Sequence, residues 1–123
     1  MGAIARDIMG GGTSAGQAKA INGRVASAVS AAGTVLSDAT AINATVNRVT
    51  TVASGAGVRL FNGEIGDEIQ IYNGGANQLI VYPHAAAGTI NQLSAGTGVT
   101  IPQYTMSSFR RVTSIVWLGM MSA

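Results

Sequence analysis

The fold is decided by three consecutive stretches, Glu68-Ile-Gln-Ile-Tyr72, Asn73-Gly-Gly-Ala-Asn77 and Gln78-Leu-Ile-Val-Tyr82. The first alternates polar and apolar residues as a half-buried strand does, and the third is a short apolar run that stops at Pro83. The segment between them supplies residues that tolerate positive φ, although its length exceeds that of the tightest two-residue turn. We therefore predict a β-hairpin here.

Further strand signals lie on both sides of this pair. Short runs rich in β-branched or apolar residues recur about eight to twelve residues apart, with turn clusters between them and no convincing helix. They are Thr34–Ser37, Ile42–Val52, Val58–Phe61, Val99–Ile101 and Arg111–Trp117. This spacing predicts an all-β fold, a small antiparallel β-sandwich or barrel of jelly-roll-like type with an N-terminal extended arm.

The chain has two compositional parts. All of its aromatic residues follow Gly57, whereas the part before Gly57 consists largely of small and β-branched residues. Such residues bury little apolar area, so we expect that part of the chain to be stabilised by packing against other segments or chains. We divide the chain into an anchoring arm, residues 1–32, and a β domain, residues 33–123.

Within the arm, the Gly-rich segment Gly10–Gly16 has the composition of a linker. We therefore expect residues 1–16 to become ordered through contact with another chain. Residues 17–32 fit either an extended segment or a short helix, since their apolar residues match both periods. Gly23 and the β-branched content favour the extended segment.

The content of charged residues is unusually low. Lys, Arg, Asp and Glu make up 10% of the 123 residues, against about 25% in an ordinary soluble domain. A monomer with so few surface charges would be poorly soluble, so we expect part of its surface to be buried against other chains. The net charge of +2, with one basic pair at Arg110 and Arg111, also lacks the basic stripe of a nucleic-acid-binding protein.

No constellation of residues predicts catalysis. His84 has no second His, Cys or acid beside it in sequence, which favours a loop or interface role over metal ligation. No serine lies in a Gly-x-Ser-x-Gly elbow, and the acidic cluster Glu64, Asp67 and Glu68 is typical of a solvated turn. We predict no enzyme activity, no cofactor and no metal. The sequence also has no Cys and no apolar run of the roughly 18 residues that a membrane span needs.

Two regions are candidates for contact with partner chains. Apolar and basic side chains of the arm would anchor the chain. The basic pair could meet phosphate or a carboxylate of a partner chain, although salt bridges to Asp67, Glu68 or a neighbouring subunit are the commoner explanation. The apolar C-terminal stretch is expected to be buried, either in the core or between subunits. The candidate partner-binding residues are Ile4, Arg6, Ile8, Met9, Arg110, Arg111 and Trp117.

Several of these segments, taken together, resemble a group of small virion proteins of tailed bacteriophages. In that group a Gly-Val-x-Leu strand leads through a Gly-Asp turn into a hydrophobic strand, an Asn-x-Gly-Ala-Asn turn, a Val-Tyr-Pro strand end and an Ile-Asn. The corresponding segments are Gly55–Leu60, Gly66-Asp67, Ile71–Pro83 and Thr89–Asn91. The resemblance covers roughly residues 33–117.

The resemblance implies a capsid decoration (cement) protein that binds the major capsid protein as a homotrimer and stabilises the head. Such a protein is made in the host cytoplasm, resides on the capsid surface of the virion, and has neither nucleic acid nor a membrane as a partner. A tail fibre, spike or baseplate subunit is the alternative. In that case Tyr72, Tyr82, Tyr104 and Trp117 would stack on host-surface carbohydrate, although core packing is the commoner fate of such rings.

Overall fold

The structure, a computed structural model, describes residues 24–121. Nearly all of its regular secondary structure is β, with one 3₁₀ turn at Leu36–Asp38. The strands are β1 (Val25–Ser30), β2 (Thr40–Ala41), β3 (Val46–Thr51), β4 (Gly57–Arg59), β5 (Glu68–Asn73), β6 (Leu79–Tyr82), β7 (Thr89–Ile90), β8 (Val99–Ile101), β9 (Thr105–Arg111) and β10 (Val116–Met121).

Successive strands alternate between two sheets that share one core. Strands β1, β3 and β5 lie side by side and parallel in one sheet, and β2, β4 and β6 do the same in the other. The chain therefore winds in coils, each of which gives one strand to each sheet, as in a β-solenoid. Val25 lies beside Val46, and Val46 lies beside Gln70, so that one coil takes roughly 20 residues.

The C-terminal part of the chain adds antiparallel pairs. Strand β9 pairs with β5, β10 with β9, and β8 with β6, while β7 runs parallel to β10 at the sheet edge. The resulting orders are β1-β3-β5-β9-β10-β7 and β2-β4-β6-β8. The predicted all-β character is confirmed, but the antiparallel jelly-roll-like sandwich or barrel is wrong, because the sheets are mixed and stacked like a solenoid.

The predicted hairpin between β5 and β6 is also wrong, because the two strands belong to different sheets. The segment between them turns a corner of the solenoid. Asn73 Nδ2 donates to the carbonyl oxygens of Asn77 and Ile101, both at 2.9 Å, and Asn73 Oδ1 accepts from the Gly75 amide at 3.0 Å. A Cβ on Gly75 would lie only 2.5 Å from Cγ2 of Val52. The Asn-Gly-Gly sequence thus provides the hydrogen bonds and the space that this corner needs.

Two other predicted strands are not continuous strands. In Thr34–Ser37 the chain bends, and Asp38 Oδ1 accepts hydrogen bonds from the amides of Thr34 and Val35 at 3.0 and 2.9 Å. In Arg111–Trp117 the chain reverses between β9 and β10, where Thr113 Oγ1 accepts from the Val116 amide at 3.0 Å. Polar side chains that bind nearby backbone donors compete with a strand in this way.

The remaining predicted strands are confirmed, with shifted ends. Val99–Ile101 is β8 with the same bounds, while β3 is shorter and β4 begins one residue earlier than predicted. Strand β1 confirms the extended alternative for the part of residues 17–32 that the structure describes. Residues 1–23 lie outside the described residues, so the division between an arm, 1–32, and a β domain, 33–123, stays a prediction.

Buried apolar side chains from both sheets meet in one core. Its central residues are no more than 1% exposed: Val49, Ile69, Ile71, Phe109 and Trp117 from the larger sheet, and Val58, Leu79, Val81 and Ile101 from the smaller one. Burial of each such side chain contributes about 1.5–3 kcal/mol. Because strand side chains alternate, this core also determines which residues of β9 and β10 face outward.

Candidate interaction surface

Arg110 and Arg111 are neighbours in sequence but lie on opposite faces of β9. Arg111 is 7% exposed, whereas the side chain of Arg110 is 55% exposed. Trp117 of β10 lies directly opposite Arg111 in the antiparallel pair. The alternation of the two strands therefore puts Arg111 and Trp117 inside and Arg110 on the surface.

The Arg111 guanidinium joins two loops to the sheet. It donates to Asn62 Oδ1 at 2.7 Å and to the carbonyl oxygen of Gly63, both in the loop between β4 and β5. It also donates to the carbonyl oxygens of Thr113, at 3.3 Å, and Ser114 in the β9–β10 turn. A buried cation needs such hydrogen bonds to replace its hydration. Arg111 is thus a structural clamp, held by neutral acceptors.

Trp117 is fixed from its polar edge by His84. The indole Nε1–H donates to His84 Nδ1 at 2.9 Å, and Arg111 lies 3.3 Å from His84 Nε2 and 5.9 Å from the indole centroid. A neutral imidazole accepts only one hydrogen bond. Here the indole N–H of Trp117 and the guanidinium of Arg111 face its two nitrogens, so a second proton on the ring would be unfavourable. Burial, and then the positive charge of Arg111, lower the pKa of His84. His84 therefore serves as a neutral acceptor in this cluster.

The outer face of β5, β9 and β10 combines one ion pair with exposed apolar side chains. Glu68, Arg110 and Leu118 lie in one row across the three strands, and the next row holds Ser108 and Met120. Arg110 lies 3.4 Å from Oε2 of Glu68, and Ser108 Oγ donates to the same oxygen at 3.0 Å. Leu118 and Met120 are 51% and 73% exposed. A neutralised ion pair thus borders an apolar surface.

Two shallow depressions meet at Met120 on this face. The first has a volume of about 240 Å³, and the second, of about 220 Å³, continues toward Met121. Glu68 and Arg110 supply the charge in the first depression, and Val112, Leu118 and Met120 supply its large apolar side chains. We call Val112, Leu118 and Met120 the apolar patch.

The structure brings three of the seven candidate partner-binding residues close together. Among these three only Arg110 is on the surface, and for Arg110 the ion pair with Glu68, one of the expected alternatives, is confirmed. Arg111 binds neutral oxygens instead of an acid. Trp117 is buried in the core, which was one of the two expected alternatives. Ile4, Arg6, Ile8 and Met9 lie outside the described residues.

The sequence predicted that the apolar C-terminal stretch would be buried in the core or between subunits, but Leu118 and Met120 lie on the surface of the chain. The prediction ended the last strand at Trp117, so the alternation beyond that residue was not followed. Because Trp117 points inward, the residues on either side of Gly119 point outward as β10 continues. The signal was therefore present in the sequence.

Comparisons with known proteins identify no relative. No family model, no curated protein and no solved structure matches the chain. Within residues 24–121, no helix is long and apolar enough to cross a membrane. In the same range no three His, Cys, Asp or Glu side chains form a group that could hold a metal ion. The apolar patch and the ion pair beside it, on the outer face of β5, β9 and β10, are therefore the candidate functional site.

Proposed function

We propose that the chain is a non-enzymatic virion structural protein, a capsid decoration (cement) protein that binds the major capsid protein shell as a homotrimer. The observation that carries the proposal is the apolar patch on the charge-poor surface of the β domain. Leu118 and Met120 are more than half exposed, and the adjacent charges of Glu68 and Arg110 offset each other. Contiguous exposed apolar side chains of this kind mark protein–protein contact sites.

The low overall charge supports the same proposal. Charged residues make up 10% of the chain, and the structure places one of them, Arg111, inside the fold. A subunit whose surface is largely covered by neighbouring chains needs few charges to stay soluble, and interface cores are depleted in charge. The mechanism we propose is binding, in which each copy adds contact area that must be lost before the shell ruptures.

The resemblance to small phage virion proteins also supports the proposal. Its segments fall on strands and turns: Gly57–Arg59 is β4, Gly66 is a turn residue with φ of +97°, and Thr89–Ile90 is β7. The Asn73–Asn77 segment is the corner between β5 and β6. The resemblance therefore concerns residues on which the architecture depends.

Binding to heads tests the proposed function. The purified protein would be mixed with expanded, undecorated heads assembled from the major capsid protein encoded in the same genome. We expect saturable binding at a fixed ratio of the two proteins, and rupture of the decorated heads at a higher temperature than the bare heads. Binding without saturation, or no binding, would refute the cement function.

Deletion of residues 1–16 tests the role assigned to the arm. We expect the truncated protein to remain a trimer but to lose binding to the heads, because the arm is proposed to reach across the major capsid protein. The full-length chain is the control for both measurements. If the truncated protein decorates heads at full occupancy, the arm hypothesis is wrong.

One observation favours the alternative of a fibre, spike or baseplate subunit. Of the four proposed stacking rings, Tyr104 is 69% exposed, whereas Tyr72 is partly buried and Tyr82 and Trp117 are buried. Tyr104 also has φ of +61°, a strained conformation for a residue other than glycine, which functional sites often contain. A glycan array tests this alternative. It requires that the wild-type protein bind at least one glycan and that Tyr104→Ala abolish this binding.

A further inference from the structure

We infer that the apolar patch is the surface through which copies of this chain associate with one another. This inference rests on the proposed function, and it assigns the subunit contact of the proposed homotrimer to the outer face of β9 and β10. The patch carries Leu118 and Met120 at its centre and Val112 beside them, with side chains 51%, 73% and 36% exposed.

The composition of the patch is that of an interface between identical subunits. Such interfaces are more apolar than other contact surfaces, are enriched in Met and are depleted in charge at their centre. Met120 stands where both depressions meet, and its unbranched side chain adapts to irregular partner surfaces. The centre of the patch is therefore suited to close packing against another protein surface.

The patch is also held rigidly from beneath. Trp117 and Phe109, which alternate with the outward residues, are fully buried in the core. A Cβ on Gly119 would lie 2.7 Å from the Phe109 ring, so β10 packs closely over that ring. Because the backbone of β10 is already ordered, it loses little conformational entropy when the patch binds, which favours association.

The charges that border the patch fit a second copy of the chain as its occupant. Glu68 and Arg110 border the patch with side chains 44% and 55% exposed, and they present opposite charges side by side. Such a surface complements itself, because Arg110 of one copy can face Glu68 of the next around a symmetry axis. A nucleic acid or an anionic membrane would instead require a surface with excess positive charge. The neutral pair therefore favours self-association over either of those partners.

The test uses the full-length chain and measures its mass by light scattering over a range of concentrations. We expect the wild-type protein to be a trimer. Met120→Glu is expected to raise the dissociation constant of the trimer by about 100-fold, because it replaces a central contact with a buried, unpaired charge. Thr100→Glu is the matched control, because Thr100 is an exposed strand residue on the other sheet. We expect this control to remain a trimer.

A second pair of variants tests the charge complementarity. Glu68→Arg leaves two cations at the edge of the patch, and Arg110→Glu leaves two anions. Each variant alone is expected to dissociate more readily than the wild type, and a mixture of the two is expected to form mixed assemblies. A mixture that stays as unstable as its components would overturn the assignment of a second copy as the occupant.

Other outcomes separate this inference from the proposed function. The inference is overturned if the wild-type protein is a monomer, or if the Met120→Glu protein keeps the mass of a trimer. If the Met120→Glu protein fails to fold, Met120→Ser is used in its place. If Met120→Glu lowers stability without changing mass, the patch is covered by the same chain, and the inference is likewise overturned. A trimer that dissociates as expected but does not bind heads supports the inference and refutes the cement function.

Discussion

Replacement of Arg111 by Met is expected to lower the free energy of unfolding by about 3 kcal/mol. Met retains an apolar stem in the site near Trp117 but removes a guanidinium that donates to Asn62 Oδ1 and to three backbone carbonyl oxygens. Hydrogen bonds from a charged donor contribute about 1.5–3 kcal/mol each. Asn62 and the turn residues lie near solvent, so water can bind the oxygens that lose the guanidinium and offset part of the lost free energy. The net effect should therefore equal one or two of these hydrogen bonds.

Urea unfolding followed by the fluorescence of Trp117, the single Trp of the chain, measures this effect. Arg110→Met is the matched control, because it removes the same charge from the neighbouring residue but breaks only exposed contacts, a hydrogen bond to the Gly66 carbonyl oxygen and the ion pair with Glu68. An exposed ion pair contributes about 0.2–1 kcal/mol. Arg111→Lys keeps the charge without the forked geometry and should fall between the two. If Arg110→Met destabilises the protein as much as Arg111→Met does, the clamp role of Arg111 is refuted.

Two further predictions concern His84 and the solenoid turns. Because the pKa of His84 is lowered in the folded state, stability should be full above the unfolded value of about 6.5 and should fall as the pH drops toward the folded pKa. The urea midpoint, measured at several pH values, should fall less at low pH for His84→Gln than for the wild type. An equal pH dependence of the two proteins would contradict this prediction. Gly75→Ala should cost about 1–3 kcal/mol, because its Cβ would lie 2.5 Å from Val52 Cγ2. Gly66→Ala, whose Cβ would meet no atom within 4 Å but whose φ is +97°, should cost about 1 kcal/mol in the same urea unfolding assay. A larger cost for Gly66→Ala than for Gly75→Ala would count against the corner packing.

The positions of several strands could be predicted from the sequence, because alternation and turn residues are local signals. Strand β8 has the predicted bounds, and β5 extends the predicted stretch by one residue. The pairing of strands could not be predicted in this way. Val46 lies beside Gln70, one full coil further along the chain, and an antiparallel sandwich and a mixed solenoid share the same spacing of short strands.

Turn chemistry misled the prediction in a specific way. Asn73–Asn77 contains the residues of a hairpin turn, but their side chains bind the backbone of a corner between sheets. Conversely, Arg111–Trp117 was interpreted as one strand because of its β-branched residues, although Thr113 holds the turn of a true hairpin. This error also affected the candidate site, because Arg111 and Trp117 face each other across β9 and β10.

The ion pair of Arg110 with Glu68 was among the alternatives that the sequence offered, because both residues belong to short runs of charge. The clamp at Arg111 could not be predicted from the sequence, because its acceptors are backbone carbonyl oxygens and the side-chain oxygen of Asn62, which carry no sequence signal. The apolar patch was missed because the predicted strand ended too early. The clamp therefore depends on tertiary contacts that local patterns do not encode, whereas the alternation beyond Trp117 was a local signal.

The copy number of the chain in purified virions tests the proposed cement function most directly. Quantitative mass spectrometry with isotope-labelled peptides would give the ratio of this chain to the major capsid protein. A decoration protein that covers the shell is predicted to occur at a fixed, near-stoichiometric ratio. A few copies per particle would contradict the cement function and favour the fibre, spike or baseplate alternative, and absence from the virion would contradict both.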